Sequence, residues 1–148
     1  MQTNEEKEQE LSTPKPYVSG RQLFDHKNNK FNRECVDVFT VDDGAVDGAN
    51  HHYRIEVYDR YNGKAEAGIK GFCDVRFQNG GLKEVGANGI TDQALLAIVL
   101  DRLRGFNEGQ FRCRENSIMI TKLEEALMWG AKRADDRSRR NVEGERKA

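Results

Sequence analysis

Four side chains near the end of the sequence have the types and spacing of a phosphate receptor. They are Trp129, Arg133, Arg137 and Arg140. Their offsets of four, four and three would place them on one face of a helix. Arginine grips phosphate bidentately and an indole stacks on a base. The alternative is a solvated helix end, because cations there also favour the helix dipole and Asp135 and Asp136 lie beside them.

A second group surrounds a glycine-rich segment upstream. Phe106 and Phe111 flank the predicted turn, and Asn116 lies in the first turn of the helix that follows. An aromatic ring near an amide can stack a base and read its edge. The alternative is structural, with two phenylalanines closing a hairpin core and Asn116 serving near a helix cap.

Catalytic and metal chemistry have weak support in the sequence. His51 and His52 are adjacent, so in a strand they point to opposite faces and cannot both face one metal ion. The segment 86–89 lacks the full glycine pattern and the lysine of a phosphate loop. The three cysteines are far apart and are expected to be reduced; they are Cys35, Cys73 and Cys113. We therefore predict no enzyme activity, no metal and no cofactor.

Alternating residues predict a small antiparallel sheet over residues 34–86. Its strands are expected at 35–41, 53–58, 67–77 and 82–85. Asn79 and Gly80 suit a tight turn before the last of these strands. Residues 1–33 have almost no periodic hydrophobicity, and we expect 1–20 to be disordered and dispensable for binding.

After residue 90 the hydrophobic period changes to that of helices. One helix is expected from Thr91 or Asp92 to Gly105, and a second from 115 to 139. Together they form a helical hairpin over residues 91–140, followed by a short polar tail. The predicted fold class is α+β, a small N-terminal antiparallel sheet followed by a C-terminal αα-hairpin within a single domain, 21–148.

Charge and composition narrow the class of protein. The chain has 148 residues, with 24 Lys and Arg against 25 Asp and Glu, and 36% hydrophobic residues. The balanced charge argues against binding long nucleic acid, and the low apolar content favours a homo-oligomer. Residues 131–148 carry a local charge of +3, which suits a small polyanion. The sequence shows neither a membrane span nor the pattern of a signal peptide, so we expect a cytoplasmic protein.

Several motifs of the predicted hairpin resemble those of phage anti-defence proteins called sponges. The motifs are LDRLRGF at 100–106, FRCREN at 111–116, TKLEEALMW at 121–129, DR at 136–137 and RNVEG at 140–144. The resemblance covers roughly residues 78–145. The predicted strands before it resemble the Thoeris anti-defence type 1 branch, whereas the anti-CBASS branch is mostly the helical part alone.

The resemblance implies a function in capturing the signalling nucleotides of bacterial immunity without cleaving them. Members sequester glycocyclic ADP-ribose of Thoeris, and some also hold cyclic trinucleotides of CBASS, in sites between the subunits of a dimer or hexamer. The ligand contacts of the family map onto Phe106, Asn116, Arg133 and Arg137, with Trp129 and Arg140 as additional candidates. The family usually has a hydroxyl residue where this sequence has Glu145. An enzyme that degrades the same signals and an adaptor that disables a host protein are the alternatives.

Overall fold

The computed structural model describes residues 20–44, 47–63 and 68–147, which divide into two compact units between Arg76 and Phe77. The predicted disordered segment, 1–20, lies outside the described residues except for Gly20. That residues 21–148 act as one sponge domain stays a prediction.

The first unit is a four-stranded antiparallel sheet in the order β1-β2-β3-β4. The strands are β1 (Gln22–Leu23), β2 (Val36–Thr40), β3 (His52–Val57) and β4 (Gly71–Arg76). Three strands predicted from alternation are therefore confirmed as β2, β3 and β4. A sheet followed by helices also confirms the predicted α+β class.

Register separates the residues of the sheet onto two faces. Val38 pairs with Ile55, and Asp37 pairs with Glu56, so successive pairs alternate between an apolar face and a charged one. The core of this unit contains Cys35, Tyr58, Ile69 and Val75. The alternation along β2 and β3 thus identified the strands through their apolar face.

The charged face contains a buried carboxylate. Glu56 is 0% exposed, and its Oε2 accepts a hydrogen bond of 2.5 Å from the Tyr58 hydroxyl. Arg54 Nε lies 3.1 Å from Glu56 Oε1, and the Arg54 guanidinium stacks over the Phe72 ring at 4.1 Å. Burial, and then the hydrogen bond to Glu56 and its negative charge, raise the pKa of Tyr58 to about 12. The neutral phenol therefore remains the donor that satisfies this buried carboxylate across the physiological pH range.

Two short elements precede β2, in a segment where the sequence predicted no regular structure. They are β1 and α1 (Lys30–Cys35), whose N-cap Asn29 accepts a hydrogen bond of 2.8 Å from the Asn32 backbone N–H. A two-residue strand and a six-residue helix are too short to show a period. Long-range contacts define them instead, such as the hydrogen bond of 2.9 Å from the Thr40 backbone N–H to the Arg21 carbonyl.

The predicted fourth strand, 82–85, is wrong, because this segment is the one-turn helix α2 (Leu82–Val85). Hydrogen bonds from side chains to the backbone hold the surrounding segment in a loop. Asn88 Oδ1 accepts from the Asn79 N–H at 2.8 Å, and Gln78 Oε1 accepts from the Asn88 N–H at 2.9 Å. The Lys83 N–H donates to the Gly144 carbonyl at 3.0 Å, a partner 61 residues away that local patterning cannot reveal.

The second unit contains the predicted hairpin, formed by α3 (Asp92–Glu108) and α4 (Arg114–Arg139). Thr91 caps α3 through its Oγ1, as predicted, and α4 matches its predicted span. The predicted end of α3 at Gly105 is wrong, since the helix continues to Glu108. A helical glycine costs only about 1 kcal/mol relative to alanine, which the packing of Leu100 and Leu103 in the core offsets.

Candidate functional site

The turn end of the hairpin brings together Phe106, Phe111 and Asn116, which we call the turn cluster. The rings of Phe106 and Phe111 meet edge to face, with centroids 6.1 Å apart and planes at 84°. Asn116 Nδ2 donates to the Phe111 carbonyl at 3.2 Å. The sequence predicted this group as a base-binding site or a hairpin closure, and its contacts already perform the second role.

The turn cluster is held by the cap of α4. The Cys113 Sγ accepts from the Asn116 N–H at 3.4 Å. Asn107 bridges both helices, because its Nδ2 donates to the Ser117 hydroxyl at 3.0 Å and its Oδ1 accepts from the Cys113 N–H at 3.5 Å. Asn107 was missed by the sequence reasoning; its position beside Phe106, in a segment predicted as a turn, is the only local signal.

Arg102 also belongs to this end of the hairpin, although it is not among the ligand contacts that the sequence predicted. Its guanidinium carbon lies 4.9 Å from the centroid of the Phe106 ring. The spacing of four residues between Arg102 and Phe106 was the available signal, since residues at i and i+4 are neighbours on a helix. A base that stacks on Phe106 would therefore meet a cation next to the ring.

The opposite end of α4 carries Trp129, Arg133 and Arg137, which we call the arginine face. Trp129 is 69% exposed. Arg133 is exposed, and its guanidinium makes no hydrogen bond or ion pair with residues 20–44, 47–63 and 68–147. Arg133 is therefore placed to receive an anion from solvent. Arg140 is the C-cap of α4, and its Nε donates to the Asp136 carbonyl at 3.4 Å.

Arg137 differs from Arg133, because its guanidinium is occupied by the chain that follows α4. Its Nη2 donates to the carbonyls of Val142 and Glu145 at 3.1 and 2.6 Å, and its Nη1 donates to the carbonyl of Lys147. Arg137 is half-buried in this arrangement. The sequence placed both arginines on one face but did not reveal this difference.

Glu145 is neutralised locally by two lysines. Its carboxylate lies 2.6 Å from Lys147 Nζ and 3.8 Å from Lys83 Nζ. The hydrogen bond from Lys147 and its charge, opposed by desolvation and assisted by Lys83, lower the pKa of Glu145. The same pairing raises the pKa of Lys147. Glu145 therefore does not add an unpaired negative charge beside the arginine face.

The turn cluster and the arginine face lie far apart on one chain. Asn116 and Arg133 are both on α4, separated by 17 residues. At the rise of an α-helix this separation is about 25 Å. One hairpin therefore cannot place both groups on a single small nucleotide.

The part of the chain that the structure describes contains no group of three or more His, Cys, Asp or Glu arranged to hold a metal ion. Among the same residues, no helix is long and apolar enough to cross a membrane.

The candidate site therefore lies on a two-helix hairpin, which carries aromatic and amide side chains at its turn and arginines at its far end. Residues 70–135 match the family model described as Acb2/Tad1, hairpin domain. This span includes Phe106, Asn116, Trp129 and Arg133, whereas Arg137 lies just beyond it.

A phage relative gives the second comparison. The chain is 45% identical over 91 residues to the protein named Thoeris anti-defense 1 of Bacillus phage SBSphiJ7. The match covers 59% of this chain and 64% of the relative. The resemblance to Thoeris anti-defence proteins is thereby confirmed, and the chain spans less than two thirds of the length of this relative.

Proposed function

We propose that this protein is an anti-defence sponge, which binds immune signalling nucleotides in the infected bacterial cytoplasm and withholds them without cleavage. Glycocyclic ADP-ribose of Thoeris is the proposed ligand. Both its adenine base and its diphosphate have a matching group of side chains on the hairpin. The hairpin domain match and the Thoeris anti-defense 1 relative support this proposal.

The chemistry of binding divides between the two ends of the hairpin. Phe106 stacks the base, and Asn116, whose Oδ1 accepts no hydrogen bond from the described residues, reads the edge of the base or the ribose. Arg133 and Arg137 bind the diphosphate, assisted by Trp129 and Arg140. Charge-assisted hydrogen bonds contribute about 1.5–3 kcal/mol each, so a few of them with stacking reach the roughly 12 kcal/mol of nanomolar binding.

The observation that carries the proposal is the separation of these two groups along α4. Because about 25 Å divides them on one chain, a complete site needs the turn cluster of one subunit and the arginine face of another. The hairpin has apolar surface for such an assembly, since Ile98 is 65% and Met128 69% exposed. We therefore propose a homo-oligomer, a dimer or a hexamer, with the sites between its subunits.

Cyclic trinucleotides of CBASS are a further proposed ligand class. They present the same two chemical groups, a base for stacking and a phosphodiester for the arginines. Competition between a cyclic trinucleotide and glycocyclic ADP-ribose for the protein distinguishes a shared site from separate ones.

Recovery of the ligand tests sequestration directly. Glycocyclic ADP-ribose is incubated with the protein, free nucleotide is removed, the protein is heated, and the released nucleotide is identified by chromatography. We expect the ligand to return chemically intact. Conversion to a new product would instead show an enzyme, and absence of captured nucleotide would favour the adaptor alternative.

The same capture experiment is made with Arg133→Ala, a variant of the arginine face. Its matched control is Arg139→Ala, which changes an arginine outside the arginine face.

A further inference from the structure

The residues that follow α4 form a strap, residues 142–147, that is tied to Arg137. Three backbone carbonyls accept from its guanidinium: those of Val142 and Glu145 from Nη2, and that of Lys147 from Nη1. A guanidinium has five N–H donors. Both hydrogens of Nη2 and one of Nη1 are therefore in use.

The other side of the strap is docked on the loop that contains α2. The Gly144 carbonyl accepts from the Lys83 N–H at 3.0 Å, and Arg146 Nη2 donates to Asn79 Oδ1 at 2.9 Å. The approach is close, because a Cβ added at Gly81 would lie 2.4 Å from the Gly144 oxygen. Gly144 itself has φ +76°, a conformation that glycine adopts readily. The strap thus has a defined docked geometry that depends on two glycines.

The docked strap blocks bidentate binding of phosphate by Arg137. A guanidinium grips an oxyanion through two neighbouring nitrogens, either Nη1 with Nη2 or Nε with Nη2. Both of these edges use Nη2, whose two hydrogens already point to the carbonyls of Val142 and Glu145. An oxyanion can take either edge only after the strap has given up at least one of these bonds.

We propose that the strap is an intramolecular competitor for Arg137, which a diphosphate ligand displaces when it binds. The identity of the ligand rests on the proposed function, whereas the competition between the strap and an anion for Arg137 does not. Hydrogen bonds between two ionised groups are stronger than those from a cation to a neutral carbonyl. The strap, however, is tethered beside Arg137 and so competes at a high effective concentration. The strap therefore disfavours small anions that make no other contact and admits a nucleotide that is also held by its base.

Two full-length variants release the strap without changing net charge or Arg137. Gly81→Ala places a methyl group against the Gly144 oxygen, while the backbone at Gly81, with φ −71° and ψ 139°, accepts alanine. Gly144→Pro imposes a φ near −65° where the docked strap needs +76°. Faster hydrogen exchange of the Lys83 amide reports the release, since this amide donates to Gly144. Gly71→Ala is the control, because its Cβ would meet no atom within 4 Å.

The probe is inorganic pyrophosphate, titrated by calorimetry. We expect Gly81→Ala and Gly144→Pro to bind pyrophosphate at least about tenfold tighter than the parent, as expected from freeing a charge-assisted partner. Adding Arg137→Ala to either variant is expected to remove this gain. Unchanged or weaker binding by both variants would overturn the proposal, as would a gain that persists without Arg137.

Titration of the same variants with glycocyclic ADP-ribose separates this inference from the proposed function. If the variants gain affinity for pyrophosphate but no chain binds the nucleotide, the strap competes and the proposed ligand is wrong. If the parent binds the nucleotide and the variants gain nothing for pyrophosphate, the sponge function stands and the competition is wrong.

Discussion

At the scale of single residues, the two arginines of the predicted phosphate site have different roles in the chain. The Arg133 side chain is exposed and makes no hydrogen bond or ion pair to the described residues, whereas Arg137 anchors the strap. Both remain one helical turn apart, as the spacing predicted. Substitutions at the two positions are therefore not equivalent, and Arg133 gives the cleaner test of phosphate binding.

Arg133→Ala is expected to weaken binding of glycocyclic ADP-ribose by about 2 kcal/mol, roughly thirtyfold, because a phosphate loses a charge-assisted partner. Folding is expected to be unaffected, since the Arg133 side chain makes no hydrogen bond or ion pair to any described residue. Calorimetric titration beside Arg139→Ala measures the difference. Equal losses in the two variants would indicate general electrostatic attraction and would contradict a defined site.

Asp42 in the loop between β2 and β3 makes the stability of the first unit sensitive to acid. Desolvation alone would raise the pKa of its carboxyl, but hydrogen bonds from the backbone N–H groups of His51 and His52 and from the Asn50 side chain lower it below 3.8. The folded state therefore favours the carboxylate. This contribution is complete above the unfolded pKa near 3.8 and disappears as the pH falls through the lower folded pKa.

Asp42→Asn is accordingly expected to destabilise the protein at pH 7 and to have progressively less effect below about pH 3.8. Urea unfolding between pH 2 and pH 7 measures the difference in free energy. Asp43→Asn removes the same charge at the exposed neighbouring position, and it is the control that is expected to leave the free energy of unfolding at pH 7 unchanged. A difference between Asp42→Asn and the parent that grows on acidification would contradict this account.

At the scale of elements, α3 contains a glycine that its helical conformation does not require. Gly105 lies inside Asp92–Glu108, and an added Cβ would meet no atom within 4 Å. Gly105→Ala is expected to raise the free energy of unfolding by about 0.5–1 kcal/mol, because alanine loses less backbone entropy on folding. Thermal unfolding measures the gain as a higher Tm.

Gly130→Ala in α4 is the matched comparison for this prediction. There the new methyl group would lie 2.7 Å from Gln93 Nε2, so the glutamine side chain must move. A smaller gain is expected than at Gly105. A lower Tm for Gly105→Ala would show that the position is packed against another chain.

At the scale of the whole molecule, much of the apolar surface of the hairpin is exposed among the described residues. Only Leu100 and Leu103 are buried hydrophobic residues among the described residues of the second unit, while Met119 remains 49% exposed. Ile120 and Leu127 on the same helix are half-buried, and we expect them to line an interface together with Met119. A homo-oligomer would remove this surface from water and bring the two halves of a site together.

Met119→Asp is therefore expected to dissociate the oligomer, because a carboxylate in an apolar interface costs several kcal/mol when it has no partner. Light scattering at micromolar concentration measures the mass. Thr121→Asp, on the opposite side of α4, is the control and is expected to leave the mass unchanged. A parent protein that is monomeric under these conditions would refute the assembly and, with it, a site shared between subunits.

Local patterns in the sequence determined the longer elements, in which apolar residues recur with a single period. The alternation along β2 to β4 and the stripes of α3 and α4 predicted these elements, since a single apolar face is enough to specify each. The helical offsets likewise placed Trp129, Arg133 and Arg137 on one face. The motifs of the hairpin identified its relatives, and both comparisons confirmed them.

Tertiary structure alone decided the features that depend on partners distant in sequence. The segment 82–85 became a helix because its backbone meets the strap at Gly144, and Arg137 became an anchor because three carbonyls of the strap reach it. These backbone carbonyls leave no periodic pattern in the sequence, because a carbonyl can accept a hydrogen bond whatever side chain its residue carries. The sequence therefore specified which side chains face together, and the fold determined which of them remain available to a ligand.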